Sequence, residues 1–399
     1  GITVAYNNRN LTKNADKLSI SVTVGTEFNF SKKASNSNNN RTDFIISTEY
    51  YINKFLLPFR IKQLDHTTSA RSKIYASYNY ENRIGFYKLH NTTFSFGYEW
   101  NKNQSIRHSY LPFTVSIIYL PDSSLSSGFK ARLDSNSLLK NSFGETFIMG
   151  SQYNFYYNFI SKNKYHLFNY RLFLETAGNI LELGSAIISQ KDKNKSVLGR
   201  NYAQFFKMTH EFRHQSRVND NATINTKLKF GIGAPYGNSN SLPYVKQFFI
   251  GGPNSIRAFP VRTLGPGGFR AVKTNPNSVI DELGDILLEA SVEYRFDIFK
   301  WFKGVVFVDA GNIWLRQPDP KKPEAEFNFA KLLKQTAIGT GLGLRLDFDY
   351  FVIRYDLGFP VKVNYDSENT QWVIKDAAFG SRTWRQENLV HNIAVGYPF

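Results

Sequence analysis

The sequence predicts one large all-β, membrane-spanning antiparallel barrel, and three observations carry that prediction. Apolar and polar residues alternate with period two along most of the chain, the alternating segments are long enough to cross a bilayer, and the connections between them are alternately long and short.

Taken in order, the expected strands occupy residues 2–8, 17–31, 42–53, 71–82, 86–101, 105–120, 143–160, 164–178, 202–217, 221–235, 284–297, 303–315, 336–348, 351–362 and 388–399. The clearest is 284–297. Ile286, Leu288, Ala290, Val292, Tyr294, Phe296 and Ile298 fall on one face, and Leu287, Glu289, Ser291, Glu293, Arg295 and Asp297 on the other. A helix would scatter both sets around its axis, whereas a strand separates them. Ile286, Val292 and Phe296 are therefore expected toward lipid, with Glu289, Glu293 and Arg295 toward the lumen. The same pattern recurs at Ile20, Val22, Val24, Phe28 and Phe30. It recurs at Thr92, Phe94, Phe96, Tyr98 and Trp100, facing Thr93, Ser95, Gly97 and Glu99, and at Ile224, Leu228, Phe230 and Ile232, facing Asn225, Lys227 and Lys229. Most segments exceed the ~5–6 residues of a soluble strand and reach the ~9–11 that cross a bilayer at a tilt. No helix of comparable length is expected.

Working back from the end, segments 363–387, 316–335, 236–283, 179–201 and 121–142 are long, and 349–350, 298–302, 218–220 and 102–104 are short. Long loops at one end and tight turns at the other mark a membrane barrel. Segment 54–70 breaks the rule by being long where a short turn is expected. Tyr50, Tyr51, Trp100, Trp301 and Trp314 lie near strand ends, where interfacial aromatic girdles belong.

Composition narrows the alternatives. The longest apolar runs, such as VVFV at 305–308 and FFI at 248–250, fall far short of the ~18 residues of a membrane helix. The chain has no cysteine, which excludes disulfides, thiolate catalysis and cysteine metal sites. Its net charge of +17 is spread over loops and alternate strand positions. No basic stretch interleaves with stacking aromatics, so lipid phosphates suit this charge better than nucleic acid, and solvated loop charge accounts for most of it. A large soluble sandwich also alternates, but rarely keeps strands this long throughout. The opening GITVAYNNRN has no basic start, apolar core or cleavage site.

Two enzyme-like signatures fail on geometry. His210-Glu211-Phe212-Arg213-His214 matches H-E-x-x-H, which binds zinc on a helix. Here it lies in FFKMTHEFRHQSR, which alternates like a strand. Both histidines would share a face ~13 Å apart, with Glu211 on the opposite face. No metal is expected there. Gly339, Gly341 and Gly343 sit within an alternating strand, which suits close packing against an internal loop rather than a phosphate cradle. Glu289, Glu293 and Asp309 could pair as acid and base, but lumen polarity explains them more simply. No enzyme and no cofactor is expected.

The longest connection, 236–283, contains QFFIGGPNSIRAFPVRTLGPGGFR. A polar loop with embedded Ile256, Arg257, Ala258 and Phe259 and several glycines is suited to folding back into a polar cavity. A buried guanidinium there needs a carboxylate, and the strand KGVVFVDAGNIW offers Asp309. The loop resembles the signature of the largest extracellular loop of the BamA/TamA family of outer-membrane assembly proteins, within the bacterial surface antigen superfamily. The matching residues are Gly251, Gly252 and Ser255, then Ile256, Arg257, Ala258 and Phe259, with alanine where glycine is usual. Asp309 and Gly311 match that family's aspartate-x-glycine barrel-wall motif, which holds the loop arginine.

Further segments carry the resemblance. GTGLGLRLDFDYFVIRYDLGFPV resembles the family's penultimate strand pair. The ending HNIAVGYPF resembles its outer-membrane export signal, through Asn392, Gly396, Tyr397, Pro398 and Phe399, with Ala394 in place of glycine. FKGVVFVDAGNIW and RTLGPGGF are most similar to the TamA-like lipoprotein branch of Bacteroidota, TamL. The family barrel has sixteen strands with its long loop after the eleventh. Ten are counted here before the loop and five after it, and VAYNNRNLTKNADKLSISV resembles the family's second and third strands. The first strand and the periplasmic POTRA domains are thus expected to lie outside this chain.

The resemblance implies a multi-pass barrel of the bacterial outer membrane that inserts or exports other proteins through a lateral seam. Its implied partners are client outer-membrane proteins, periplasmic or lipoprotein accessory subunits, lipid and lipopolysaccharide. Gly396 and Pro398 are expected to weaken pairing of the last strand. Three alternatives stand beside it. A two-partner secretion translocator shares the loop motif but carries a helix plug. A passive porin would keep an open lumen without the Arg257–Asp309 pair. A structural adhesion barrel is favoured by nothing in the sequence.

Overall fold

The structure is a computed structural model that describes residues 1–27, 41–56, 69–187, 196–197, 199–270, 281–348, 350–366 and 370–398. Its strands in order are β1 (Ile2–Asn8), β2 (Lys17–Glu27), β3 (Arg41–Ile52), β4 (Ser69–Arg83), β5 (Tyr87–Asn101), β6 (Ile106–Tyr119), β7 (Thr146–Ile160), β8 (His166–Ala177), β9 (Ser196–Val197), β10 (Arg200–Tyr202), β11 (Phe205–Asn219), β12 (Ala222–Pro235), β13 (Ile286–Phe299), β14 (Phe302–Trp314), β15 (Ala337–Phe348), β16 (Phe351–Lys362) and β17 (Val390–Val395). All belong to one sheet. Every long strand expected from the alternation is present. Phe28 and Phe30 lie outside the described residues.

Each long strand pairs antiparallel with the next, β8 passing directly to β11. Only the short pair β9–β10 departs, with β10 running parallel to β7. The sheet curls so that Gly1 and Thr26 at one edge and Ile393, Ala394 and Val395 at the other border one cavity of about 780 Å³. Among the described residues no ladder joins β17 to β1. The ladders at these two edges are also the shortest between long strands, with seven residue pairs for β1–β2 and six for β16–β17, against fifteen for β4–β5.

The pleat sorts the side chains along the middle of the strands as the alternation requires, but Ile286, expected toward lipid, is buried at the start of β13. On β13, Val292 is 50% exposed and Glu293 fully buried, and Glu289 and Ser291 share the buried face. Leu344, Val306, Val308, Leu228 and Phe212 face outward on neighbouring strands. Among the described residues no helix is long and apolar enough to cross a membrane, and the long elements are strands.

The outward face carries a repeated polar device. Tyr78 and His90, Tyr153 and His108, Tyr170 and His210, and Tyr355 and His391 bring a phenol oxygen within 2.7–2.8 Å of an imidazole Nδ1. In each pair the two residues sit diagonally across one ladder. A lone imidazole facing hydrocarbon would strand its polar atoms, and the paired hydroxyl satisfies one of them.

Among the described residues, five short helices lie in the long connections, where the alternation predicts none: α1 (Ser127–Ser135), α2 (Ser137–Ser142), α3 (Asn179–Ile187), α4 (Leu332–Gln335) and α5 (Arg382–Asn388). Ser126, Asn136 and Ser381 cap three of them through side-chain oxygens. α1 and α2 stop the lumen at the long-connection end. Phe129 and Leu133 of α1 and Phe143 just past α2 pack with Tyr87 and Leu89 of β5, Ile118 of β6, Phe205 of β11, and Leu242 and Tyr244 of the longest connection.

Two aromatics expected in the girdles are elsewhere. Tyr51 is one residue out of phase with the lipid face, so it points inward, where Arg71 lies 4.2 Å above its ring. Trp314 is completely buried, because the connection that follows β14 covers it and Gln335 Oε1 accepts from its indole at 2.8 Å. Trp301 is exposed at the opposite end, and Trp100 stacks on His108 at 4.9 Å.

Candidate functional site

The described part of the longest connection, residues 236–270 and 281–283, enters the lumen and packs against the wall formed by β12–β17. Tight backbone turns shape its tip. Gly251 and Gly252 have φ of +98° and +83°, a region that penalises any side chain. Gly252 N–H donates to Phe259 O at 2.8 Å, and Phe259 N–H to Ile256 O at 3.1 Å. Ile256 is fully buried with Phe248, Ile250, Leu264, Leu287, Ile313 and Ala337, and Phe259 packs on the same cluster.

That fold presents Arg257 to the wall. Its Nε and NH2 each reach an oxygen of Asp309 at 2.9 Å, and its backbone N–H donates to Asp309 at 3.0 Å. NH1 lies 2.5 Å from Glu293, and the guanidinium stacks 3.6 Å above the Phe307 ring. Both Arg257 and Asp309 are buried, so the two-pronged geometry offsets desolvation that neither charge could bear alone. Around this pair runs a wider ionic network. Glu293 also meets Arg295 at 2.5 Å and Arg345 at 3.5 Å. Asp356 meets Arg345 at 2.7 Å and Arg354 at 3.7 Å. Arg354 donates to Pro253 O at 2.7 Å and to Asn254 Oδ1, and Lys227 bridges Glu289 at 2.6 Å and Asn254 O at 3.0 Å.

Glycines on the wall make room for the loop. A methyl group at Gly339 would overlap the Cβ of Ala258, and one at Gly358 would come within 2.8 Å of Arg257 O. At Gly311 it would meet Leu288 O and approach Ile256 Cδ1 to 3.1 Å, and at Gly343 it would meet Asp356 Oδ1. Gly341 instead gives space to Phe307. The methyl group of Ala258 is thus received by a residue with no side chain on the facing strand.

Residues 10–375 match the Omp85 superfamily domain. The chain belongs to the Omp85 superfamily. The fold of this Omp85 barrel is similar to that of BamA from Haemophilus ducreyi, in a crystal structure lacking POTRA domains 1–3. The TM-score is 0.58 at 11% identity, over 99% of this chain and 69% of that one. CdiB from Acinetobacter baumannii superposes with a TM-score of 0.52 at 10% identity, over 98% of this chain and 55% of that one. No curated protein matches the chain.

The seam of this Omp85 barrel is tied to the loop. Asn392 on β17 donates from Nδ2 to Arg257 O at 2.8 Å, so one loop residue holds β13 and β14 by its side chain and β17 by its backbone. The last strand is shorter than the 388–399 expected. Its ladder ends at Val395, after which Gly396 N–H gives one last bond to Val352 O at 2.7 Å and, with φ +88°, turns the chain away. Tyr397 then leaves the seam. Its hydroxyl donates to Asp347 Oδ2 at 2.6 Å and Arg295 lies 4.4 Å over its ring, both inward-facing groups. Pro398 is buried, and Phe399 lies outside the described residues.

The base of the loop has a second polar lock. Tyr244 O–H reaches Asp281 at 2.9 Å and Glu81 at 3.2 Å, and Arg83 reaches Asp281 at 2.7 Å. Burial, reinforced by Asp281 and Glu81, holds the Tyr244 phenol well above its ordinary value, so it stays a neutral donor. Nothing in the sequence singles out Tyr244, Asp356, Arg345 or Arg354, although Tyr244 meets Glu81 and Arg354 meets Asn254 across long stretches of chain.

The histidine pair of the H-E-x-x-H segment faces outward on β11. His210 bonds Tyr170 and His214 bonds His166 at 3.2 Å, while Glu211 faces the lumen beside Arg213 at 2.5 Å. Among the described residues no group of three or more His, Cys, Asp or Glu could hold a metal ion.

Proposed function

We propose that this Omp85 barrel works in the bacterial outer membrane by receiving strands of client proteins at its seam, and that it inserts them rather than reacting with them. One observation carries the reading: the loop locked by Arg257 is bonded directly to β17, the strand with the shortest ladder. Unpaired backbone in lipid costs several kcal/mol per group, so an emerging strand gains by adding to an available edge. β1 and β17 each offer one such edge. Covalent chemistry has no part in this mechanism, and no cofactor is required. The long-connection end faces the exterior in this reading, with client proteins, accessory subunits and lipopolysaccharide as partners.

A passive porin is disfavoured because the loop and α1–α2 occupy its lumen. Export through the lumen, as in two-partner secretion, would use the same barrel but a different path. Photo-crosslinking in the full-length natural protein separates the two. With client protein present, crosslinkers at Ile393 and Ala5 should capture it, and those at Asn91 and Thr93 on the inner wall should not. Capture at the inner wall alone would replace insertion by export, and capture nowhere would remove both.

A further inference from the structure

We propose that residues 372–385 are a membrane anchor, in which Phe379 and Trp384 enter the headgroup–acyl boundary of the leaflet at the long-connection end and fix the upper end of β17. The position of the rings motivates this. Val390 pairs with Gly358, so Phe359 is the first outward residue beyond that ladder. Phe379 packs on Phe359 at 5.2 Å and Trp384 on Phe379 at 4.7 Å. Phe359 shares its face with Tyr355 and Leu357, so part of the connection lies outside the barrel, continuous with the lipid-facing wall.

Among the described residues this segment is largely uncovered, with Trp384 half-buried against Phe379. Phe379 is 49% exposed and Trp372 45%, and Ile374 is exposed beside them. Aromatic rings with a polar rim suit the boundary between headgroups and acyl chains. Arg385 NH1 donates to Phe379 O at 2.6 Å and Gly380 O at 2.9 Å, which fixes the turn that presents the ring. Lys375, Arg382 and Arg385 against Asp376 and Glu387 leave a single net positive charge, so ring burial more than net charge drives the contact. A single residue, Leu389, separates α5 from β17. Because β17 is held by six residue pairs, the placement of α5 sets where that strand begins.

The cysteine-free chain permits a direct test by single nitroxide labels in bilayer nanodiscs. Labels at Ala378→Cys or Thr383→Cys leave the rings intact, with Val306→Cys as a lipid-facing reference and Lys321→Cys as an aqueous one. The expected result is preferential access of oxygen over a nickel chelate at 378 and 383, matching Val306. Adding Phe379→Ser with Trp384→Ser should shift the label at 378 toward the Lys321 value and raise the mobility of a label at Ile393→Cys, leaving Val306 unchanged. Nickel access equal to Lys321 in the parent would overturn the proposal. So would shielding from both reagents, which would mean that a second copy or another protein covers the segment. Unchanged mobility at Ile393 would remove the link to β17. Unaltered Val306 spectra show that the ring variants fold.

Discussion

The two halves of the barrel wall are built from different chemistry. The wall facing the inserted loop, β12–β16, carries Lys227, Glu289, Glu293, Asp309, Arg345, Arg354 and Asp356, all buried and ion-paired. The opposite wall mixes many neutral groups with a few ion pairs, among them Glu49–Lys73 at 2.8 Å and Arg71–Glu99 at 2.6 Å. Ser77, Asn79, Asn91, Thr93, Ser95, Thr114 and Ser116 line a cavity of about 460 Å³, with Thr93 and Ser116 bonded at 2.9 Å. Ser21 and Ser47 make a similar hydroxyl pair at 2.7 Å. The connected charge network therefore gathers against the loop, and hydroxyls and amides predominate on the other wall beside isolated ion pairs. A buried ion pair resists the loss of either partner, whereas a hydroxyl exchanges protein for water at little cost. One wall is a lock and the other a tolerant surface.

This contrast orders the expected effects. Arg257→Ala or Asp309→Ala should each cost ~3–5 kcal/mol, because the remaining charge is stranded. Urea unfolding in lipid vesicles would measure it, and the double variant should lose less than the sum. Strictly additive losses would show that the pair is not a unit.

Next comes the steric fit. Gly339→Ala should cost ~1–3 kcal/mol by overpacking, and Ala258→Gly in the same chain should restore most of the loss. A Gly339→Ala variant as stable as the parent would mean that the loop does not seat where it is described.

The tolerant wall should respond least. Ser77→Ala and Thr93→Ala are expected to change stability by ~1 kcal/mol or less. Arg71→Ala leaves the buried Glu99 with Lys73 at 3.8 Å, so its cost should exceed that of the hydroxyl changes and stay below that of Arg257→Ala. Losses there comparable to those at Arg257 would erase the distinction between the walls.

The barrel was legible because a strand exposed to lipid on one side and water on the other must alternate, and fifteen segments do so. The short helices were not, since α1, α2 and α5 depend on single caps and local packing rather than a long apolar period. The last strand was drawn too long because alternation continues through Tyr397 and Phe399, while the backbone at Gly396 decides where pairing stops. At the site, Arg257 and Asp309 could be linked because a buried guanidinium demands a carboxylate. Asp356, Arg345 and Arg354 could be placed inside the barrel by parity alone. Which charges meet depends on how the strands and the loop converge, and no local pattern records that. The complementarity of Ala258 and Gly339 is of the same kind: the sequence shows an alanine in place of glycine, and only the fold shows what receives it.

The stopper made by α1, α2 and the inserted loop has a consequence for the cell rather than the client. Phe129, Phe143, Tyr87, Leu242 and Tyr244 place an apolar, close-packed layer across the end of a wide barrel. An unobstructed barrel of this strand number would pass ions and small nutrients, and every copy would add to the leak of the envelope. In the outer-membrane reading proposed above, such a layer lets many copies be carried without adding to that leak. Loosening this layer should therefore show first as drug sensitivity.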